Sequence, residues 1–148
     1  MEEWIASFHI LSLGPIWVYI IKGTVFTLLI SVTAIAFSLV FSSVLALLRN
    51  YATAPQYKPF YLAAVWYIEI FRNTPLLLWI FVAIVFCPVP DMFGHPLFGL
   101  TSVETKMLFK AAVALTLFET ACIAEIIRGG LNAVPKGQFE TPTLRASA

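Results

Sequence analysis

The groups in this sequence that could do chemistry are ionisable side chains set inside long apolar stretches. Glu119 is the clearest case, because it lies near the middle of the stretch at 109–128. A lone carboxylate in lipid is costly unless it is paired, protonated or hydrated, and such residues commonly mark a substrate or ion path. We therefore favour a path-lining role for Glu119 over a structural contact, for which Arg72 is the candidate partner.

A second polar group interrupts the apolar stretch at 60–87, and its members are Glu69, Arg72, Asn73, Thr74 and Pro75. Glu69 and Arg72 are three residues apart, so a helix would let them pair. Pro75 removes one backbone donor, and a kink is expected beside it. Two interpretations stay open. The group either lines a bundle interior or wet cavity, or lies at the membrane interface with Arg72 extended towards the headgroups.

Two further patterns concern helix ends and helix faces. Glu125 and Arg128 are three residues apart near the end of the 109–128 stretch, which predicts an interfacial ion pair. A stripe of small polar residues follows one helical face of 23–48, and we favour helix packing over pore lining for it. The members of the stripe are Thr24, Thr27, Ser31, Ser38 and Ser42.

Motifs for catalysis and metal binding are absent from the sequence. There is no GxxxxGK[ST] phosphate loop, so the chain does not supply its own nucleotide hydrolysis. There is no H-E-x-x-H metal motif, and His9 and His95 are isolated. Cys87 and Cys122 lie in apolar runs without a CxxC pattern, so we expect free thiols. We therefore predict no catalytic residues, no bound metal and no cofactor in this chain.

The composition indicates that most of the chain lies in lipid. The chain of 148 residues is 60% hydrophobic and 11% charged, whereas soluble domains carry about 25% charged residues. A net charge of +1 argues against nucleic-acid binding. We predict an all-α membrane protein in contact with lipid, with three transmembrane helices at about 23–48, 60–87 and 109–128. The first stretch of 26 uncharged residues would make about 39 Å of helix, enough to span a bilayer.

The polar links and the basic residues predict an orientation. Residues 49–59 and 88–108 contain prolines and polar residues and are expected to be loops. One side of the membrane holds more Lys and Arg and is assigned to the cytoplasm. Its basic residues are Arg49, Lys58, Arg128, Lys136 and Arg145, whereas the other side has Lys22, Lys106 and Lys110. The N-terminal segment 1–22 is then external and the C-terminus cytoplasmic.

Three passages of this sequence resemble the polar amino-acid ABC transporter permeases. The first is GTVFTL at 23–28, with ALLR at 46–49 closing the same span. The second is YIEIFRNTPLL at 67–77, which resembles the family's Y-x-E-x-F-R-G-T-P-L-L segment. The third is AEIIRGGL at 124–131 followed by PKGQFE at 135–140, similar to A-E-I-x-R-G-G-I…P-x-G-Q-x-E-A-A.

This resemblance implies a multi-pass subunit of the bacterial cytoplasmic (inner) membrane with a five-span core. It implies three kinds of partner: a second permease subunit, identical or related; cytoplasmic ATPases that bind the ATP; and an external amino-acid-binding protein. Gly137, Gln138 and Glu140 would belong to the segment that couples the permease to the ATPase. The chain departs from the pattern at Asn73, where Gly is commoner, and at Cys122, where Tyr is common.

Similarity to the family stops after Glu140, and residues 141–148 form a non-matching tail. We therefore expect 23–140 to be a partial permease domain that lacks the C-terminal spans. The function predicted is a permease subunit forming part of the pathway for a polar amino acid in an ATP-driven importer. The alternative is a non-transporting assembly or anchor subunit. A membrane enzyme is disfavoured, because no nucleophile, base or metal group is present.

Overall fold

The computed structural model describes residues 14–52, 54–96 and 99–134, and within this part the chain is helical without a strand. Two short 3-10 turns, Pro55–Tyr57 and Asp91–Phe93, lie between the helices. The four α-helices are α1 (Gly14–Tyr51), α2 (Lys58–Arg72), α3 (Leu76–Phe86) and α4 (Ser102–Ala133). The predicted all-α class is confirmed.

Helices α1 and α4 are each long and apolar enough to cross a membrane. They contain 38 and 32 residues, so they measure about 57 and 48 Å against about 30 Å of hydrocarbon. Their exposed surface is rich in large apolar side chains, with Val18 65% and Ile126 72% exposed. Such a surface suits lipid, because lipid imposes no cost on exposed hydrocarbon. The predicted spans at 23–48 and 109–128 lie within these two helices.

Both helices extend beyond the predicted spans. Helix α1 begins at Gly14, so part of the predicted external segment 1–22 is helical, and Pro15 stands in its first turn, where no intrahelical donor is lost. Helix α4 begins within the predicted loop 88–108. Thr101 accepts a hydrogen bond from the Glu104 amide, and the Glu104 carboxylate accepts one from the Thr101 amide at 2.7 Å. This capping box starts the helix at Ser102.

The predicted span at 60–87 is broken in the structure. Helices α2 and α3 take its place, and their axes differ by 106°. The break follows from Pro75, which has an extended backbone and cannot donate the hydrogen bond that would continue α2. Helix α3 contains 11 residues, or about 16 Å, and is too short to cross by itself. The described part therefore holds two complete candidate spans and one broken one.

Small side chains form the contact between α1 and α4. Four residues of α1 at spacings of four are 1% exposed or less, namely Ala34, Ser38, Ser42 and Ala46. Three small residues of α4, Ala114, Ala121 and Ala124, are equally buried, and Ala124 belongs to one buried cluster with Ala46. Small residues let two backbones approach closely, so dispersion contacts can hold the pair together within lipid. The packing interpretation is confirmed for Ser38 and Ser42, whereas Thr24 and Thr27 are exposed.

The two long helices run parallel. Near their starts, Lys22 Nζ donates to the Gly99 carbonyl at 2.7 Å. Near their ends, Arg49 Nη1 donates to Glu125 Oε2 at 2.7 Å. The chain between them must therefore return from one end of the bundle to the other, and it does so through α2 and α3. Arg49 and Arg128 lie at one end and Lys22 at the other, as the charge pattern predicted.

Candidate functional site

Glu125 is the centre of a charged cluster formed by three helices. It lies on α4, and its Oε2 is 2.7 Å from Nη1 of Arg49 on α1 and 3.9 Å from Nη1 of Arg72 on α2. Its Oε1 accepts hydrogen bonds from Arg128, one of them from Nε at 2.9 Å. The predicted pairing of Glu125 with Arg128 is confirmed. The Glu125 side chain is 19% exposed, and it lies within ion-pair distance of three guanidinium groups.

Glu69 joins the same cluster from α2. Its Oε1 is 3.1 Å from Nη2 of Arg49, and its Oε2 accepts a hydrogen bond from Asn73 Nδ2 at 3.2 Å. The pair between Glu69 and Arg72 that their spacing allows is not observed among the described residues, because the end of α1 brings Arg49 against Glu69 while Arg72 lies beside Glu125. Arg49 is 16% exposed and bridges the two carboxylates with separate nitrogens. A planar guanidinium suits such a bridge better than an ammonium.

The floor of the cluster is apolar and tightly packed. Ala46, Ile68 and Ala124 come from α1, α2 and α4 respectively, and each is 0% exposed. Since Ala46 and Ala124 lie within one turn of Arg49 and Glu125, the apolar contact fixes where these charges meet. We infer that the packing of these three residues positions the ion pairs.

The corner between α2 and α3 is held by aromatic and hydroxyl side chains. Thr74 donates to the Ile70 carbonyl at 2.7 Å and accepts a hydrogen bond from Trp79 Nε1 at 2.6 Å. The rings of Phe71 and Trp79 are stacked, with their centroids 4.0 Å apart. Thr74 and Pro75 therefore shape the corner. The sequence interpretation missed Trp79, whose role depends on the sharp bend.

Glu119 lies on α4, between the cluster and the opposite end of the bundle. It is partly exposed, and Ser38 Oγ of α1 lies 3.3 Å from its Oε2. The alternative of a structural ion pair with Arg72 is not observed among the described residues. Cys122 is a partly exposed free thiol one turn from Glu119. Glu119 and Cys122 share a face of α4 with Ile126, because their spacings are three and four.

The remaining sequence predictions concern the ATPase-coupling residues, metal binding and the two cysteines. Gly137, Gln138 and Glu140, assigned to ATPase coupling, lie outside the described residues. Among the residues that are described, no group of three His, Cys, Asp or Glu side chains is arranged to hold a metal ion. Cys87 and Cys122 are free thiols, as predicted.

The helices and the cluster define a class: an all-α membrane protein with two parallel spans, one broken span and a shared ion-pair cluster at one end. Comparison with known proteins then shows which proteins the chain is similar to. The chain is 33% identical over 132 residues to a permease protein of Rickettsia bellii (strain RML369-C) named for a glutamine transport system. This match covers 89% of the chain and 54% of that relative.

Two other relatives are named for other substrates. The glutamate/aspartate import permease protein of Escherichia coli O6:H1 is 33% identical over 134 residues, or 86% of the chain and 54% of the relative. The arginine transport system permease protein of Bacillus subtilis (strain 168) is 34% identical over 122 residues, or 82% and 49%. No protein-family model and no solved structure matches the chain.

The chain is therefore a relative of amino-acid ABC transporter permeases along most of its own length. It spans about half the length of the curated relatives that it matches. The predicted resemblance is confirmed.

Proposed function

We propose that this chain is a permease subunit that forms part of the translocation pathway for a polar amino acid in an ATP-driven importer. Its relatives are named for glutamine, glutamate/aspartate and arginine transport. These substrates differ in side-chain charge and share an α-ammonium and an α-carboxylate. The substrate class that we propose is therefore a polar amino acid.

The proposed assembly has the partners that an ABC importer needs. A second permease subunit, identical or related, would complete the pathway beside this chain. A cytoplasmic ATPase pair would bind and hydrolyse ATP, and an external binding protein would deliver the amino acid. The chain would lie in the bacterial inner membrane with its N-terminus outside and its C-terminus in the cytoplasm, as the excess of arginine at the Arg49 end favours.

The observation that carries the proposal is a carboxylate within a spanning helix of a chain related to transport permeases. Glu119 is partly exposed on α4, and among the described residues its hydrogen-bonding neighbour is a serine. Polar groups at this depth are retained where they face a water-filled cavity or a polar substrate. Glu119 would line the pathway from α4, while Arg72 and Asn73 would do so from the corner of the broken span.

The charged cluster would transmit movement between helices. Residues 137–140, which we propose contact the ATPase, come shortly after α4 in the sequence, because α4 ends at Ala133. A push on that segment moves α4 and with it Glu125, which is bonded to Arg49 of α1 and lies close to Arg72 of α2. The three helices would then move as one body. Alternating access by rocking of such bodies opens a site to one side at a time.

Reconstitution tests this proposal. The chain is placed in proteoliposomes with a candidate ATPase and binding protein, and ATP hydrolysis is measured with and without polar amino acids. We expect the ATPase to co-purify with the chain and amino-acid-loaded binding protein to stimulate hydrolysis. Glu119→Gln should reduce the stimulation without reducing membrane insertion, whereas the exposed Asp91→Asn variant should leave both unchanged. Absence of both co-purification and stimulation would contradict the proposal.

A non-transporting anchor subunit is the second candidate, and one observation favours it. Ser38 and Ser42 are fully buried, so these two members of the stripe serve helix packing. An anchor predicts that the ATPase co-purifies and that Glu119→Gln changes nothing. The two candidates therefore separate on the response of ATP hydrolysis to that one substitution.

A further inference from the structure

Helices α1 and α4 border an apolar groove in the half of the bundle nearer to Lys22. Its volume is about 450 Å³, and its wall includes Phe26 and Phe37 of α1 and Phe109 and Leu117 of α4. The hydroxyl groups in the wall each donate to a carbonyl of their own helix, and they belong to Thr33, Thr105 and Thr116. A ligand in the groove therefore meets a hydrocarbon surface.

The groove has the depth of one leaflet of a bilayer. Phe26 and Phe37 are 11 residues apart on α1, which is a rise of about 16 Å. The hydrocarbon core of a bilayer is about 30 Å thick, so one leaflet contributes about 15 Å. Leu29 and Phe37, both in the wall, are 57% and 59% exposed, so the groove is open sideways to lipid. An acyl chain can enter it from the side and lie along it.

A charged mouth adjoins the groove at the end nearer to Lys22. This second cavity has a volume of about 350 Å³, and Lys22 of α1 and Glu104 of α4 line it together with Tyr19. Four residues line both cavities, namely Phe26, Ile30, Leu100 and Leu108. One cation and one anion therefore stand where the apolar groove begins. Tyrosine and lysine are typical of the membrane interface, where a lipid headgroup lies.

Both charged groups of the mouth keep hydrogen-bonding capacity. Lys22 Nζ has three donors and gives one to the Gly99 carbonyl at 2.7 Å. Glu104 Oε2 accepts from the Thr101 amide at 2.7 Å, whereas its Oε1 accepts no hydrogen bond within the part of the chain that the structure describes. Gly99 and Thr101 are two residues apart, so these contacts hold the ammonium and the carboxylate at the same level of the bundle.

We propose that the groove and its mouth bind a phospholipid with a primary ammonium in its headgroup, a phosphatidylethanolamine. One acyl chain lies between α1 and α4, the phosphate accepts hydrogen bonds from Lys22, and the headgroup ammonium donates to Glu104 Oε1. A headgroup with an anion alone would be repelled by Glu104. A choline headgroup has no N–H to donate, so it forgoes the charge-assisted hydrogen bond that ethanolamine makes.

Native mass spectrometry of the full chain in mild detergent tests the proposal. The chain is titrated with long-chain phosphatidylethanolamine, phosphatidylcholine or phosphatidylglycerol, and the bound lipids are counted. We expect one phosphatidylethanolamine per chain, half-saturated at a concentration about tenfold or more below that of the other two lipids. A short-chain phosphatidylethanolamine should bind more weakly, because the groove then buries fewer methylene groups.

Four variants assign the preference to the site. Glu104→Gln keeps the capping box, since glutamine also serves at that position, and should abolish the preference for ethanolamine over choline. Lys22→Gln should weaken both lipids, whereas Lys106→Gln, at an exposed residue outside both linings, should change neither. A Cβ at Gly23, which lines the mouth, meets no atom within 4 Å. Gly23→Phe therefore fits without strain and should block binding.

Three results would overturn the proposal. The first is equal occupancy by the three lipids on the unsubstituted chain, which indicates lipid bound around the spans without a site. The second is a preference for ethanolamine that survives in Glu104→Gln. The third is a dimer of the chain that persists at saturating phosphatidylethanolamine and is lost in Gly23→Phe, which would make a second copy the occupant of the groove.

Discussion

Removing the Arg49 side chain's charge should destabilise the bundle, and the structure sets the size of the effect. In Arg49→Gln the 2.7 Å contact with Glu125 is lost between side chains that are 16% and 19% exposed. A hydrogen bond to a charged group contributes about 1.5–3 kcal/mol. The contact with Glu69 adds less than about 1 kcal/mol, because Glu69 is 47% exposed. We therefore expect a loss of about 2–3 kcal/mol.

Substitution of the two neighbouring carboxylates should give destabilisations larger and smaller than that of Arg49→Gln. Glu125→Gln removes the carboxylate that Arg49 and Arg128 share, so it should cost more than Arg49→Gln. Glu69→Gln should cost less than about 1 kcal/mol, because Arg49 keeps Glu125. The order of destabilisation is then Glu125→Gln, Arg49→Gln and Glu69→Gln. Lys106→Gln, at an exposed residue of α4, is the matched loss of a basic charge.

Thermal unfolding of the purified chain in mild detergent, followed by helical circular dichroism, measures this order. The double variant Arg49→Gln with Glu125→Gln adds a cycle, and its loss should be smaller than the sum of the two single losses because the residues are in contact. The reasoning is refuted if Glu69→Gln lowers the midpoint as much as Glu125→Gln, or if Arg49→Gln matches Lys106→Gln.

Three further substitutions test other parts of the fold by the same unfolding measurement. Ser42→Leu should overpack the contact between α1 and α4 and cost about 1–3 kcal/mol, while Ser43→Leu on the exposed side should cost little; equal effects would contradict the small-residue contact. Thr101→Ala should cost about 1 kcal/mol by removing the cap of α4, and an unchanged midpoint would show that the cap is dispensable. Trp79→Phe should cost about 1 kcal/mol by removing the hydrogen bond to Thr74 while keeping an aromatic ring; a loss as large as that of Trp79→Ala would show that this bond dominates the corner.

The helical class could be predicted because apolar length is a local property of the sequence. The stretches at 23–48 and 109–128 contain enough consecutive apolar residues to cross a bilayer, and both are within observed helices. The start of α4 was also encoded, in the Thr101-to-Glu104 capping box. It was missed because prolines and glycines nearby favoured a loop over 88–108.

The broken span shows what local reasoning leaves out. Pro75 predicted a kink, but the angle of 106° depends on how the next helix packs. The stacking of Phe71 on Trp79 and the hydrogen bond from Trp79 to Thr74 hold the corner. These contacts form only because the chain bends at Pro75, so helical periodicity alone could not predict them.

The charged cluster was predicted in part. Glu125 and Arg128 are one turn apart on a helix, and their contact follows from spacing alone. The spacing rule gave the wrong partner for Glu69, because it considers one helix at a time. Arg49 is 20 residues from Glu69 and 76 from Glu125 in the sequence. The packing of small residues along α1 brings it into contact with both. Ion-pair partners across helices require that packing to be known.

Accumulation of a labelled amino acid inside proteoliposomes tests the central claim most directly. The vesicles contain the chain with its candidate partner permease and ATPase, the binding protein outside and ATP inside. Participation in the pathway predicts uptake that requires ATP and the chain, and that falls in Glu119→Gln at equal amounts of inserted protein. Uptake that is the same without the chain, or unchanged in Glu119→Gln and Arg72→Gln together, would contradict the claim that this chain lines the path.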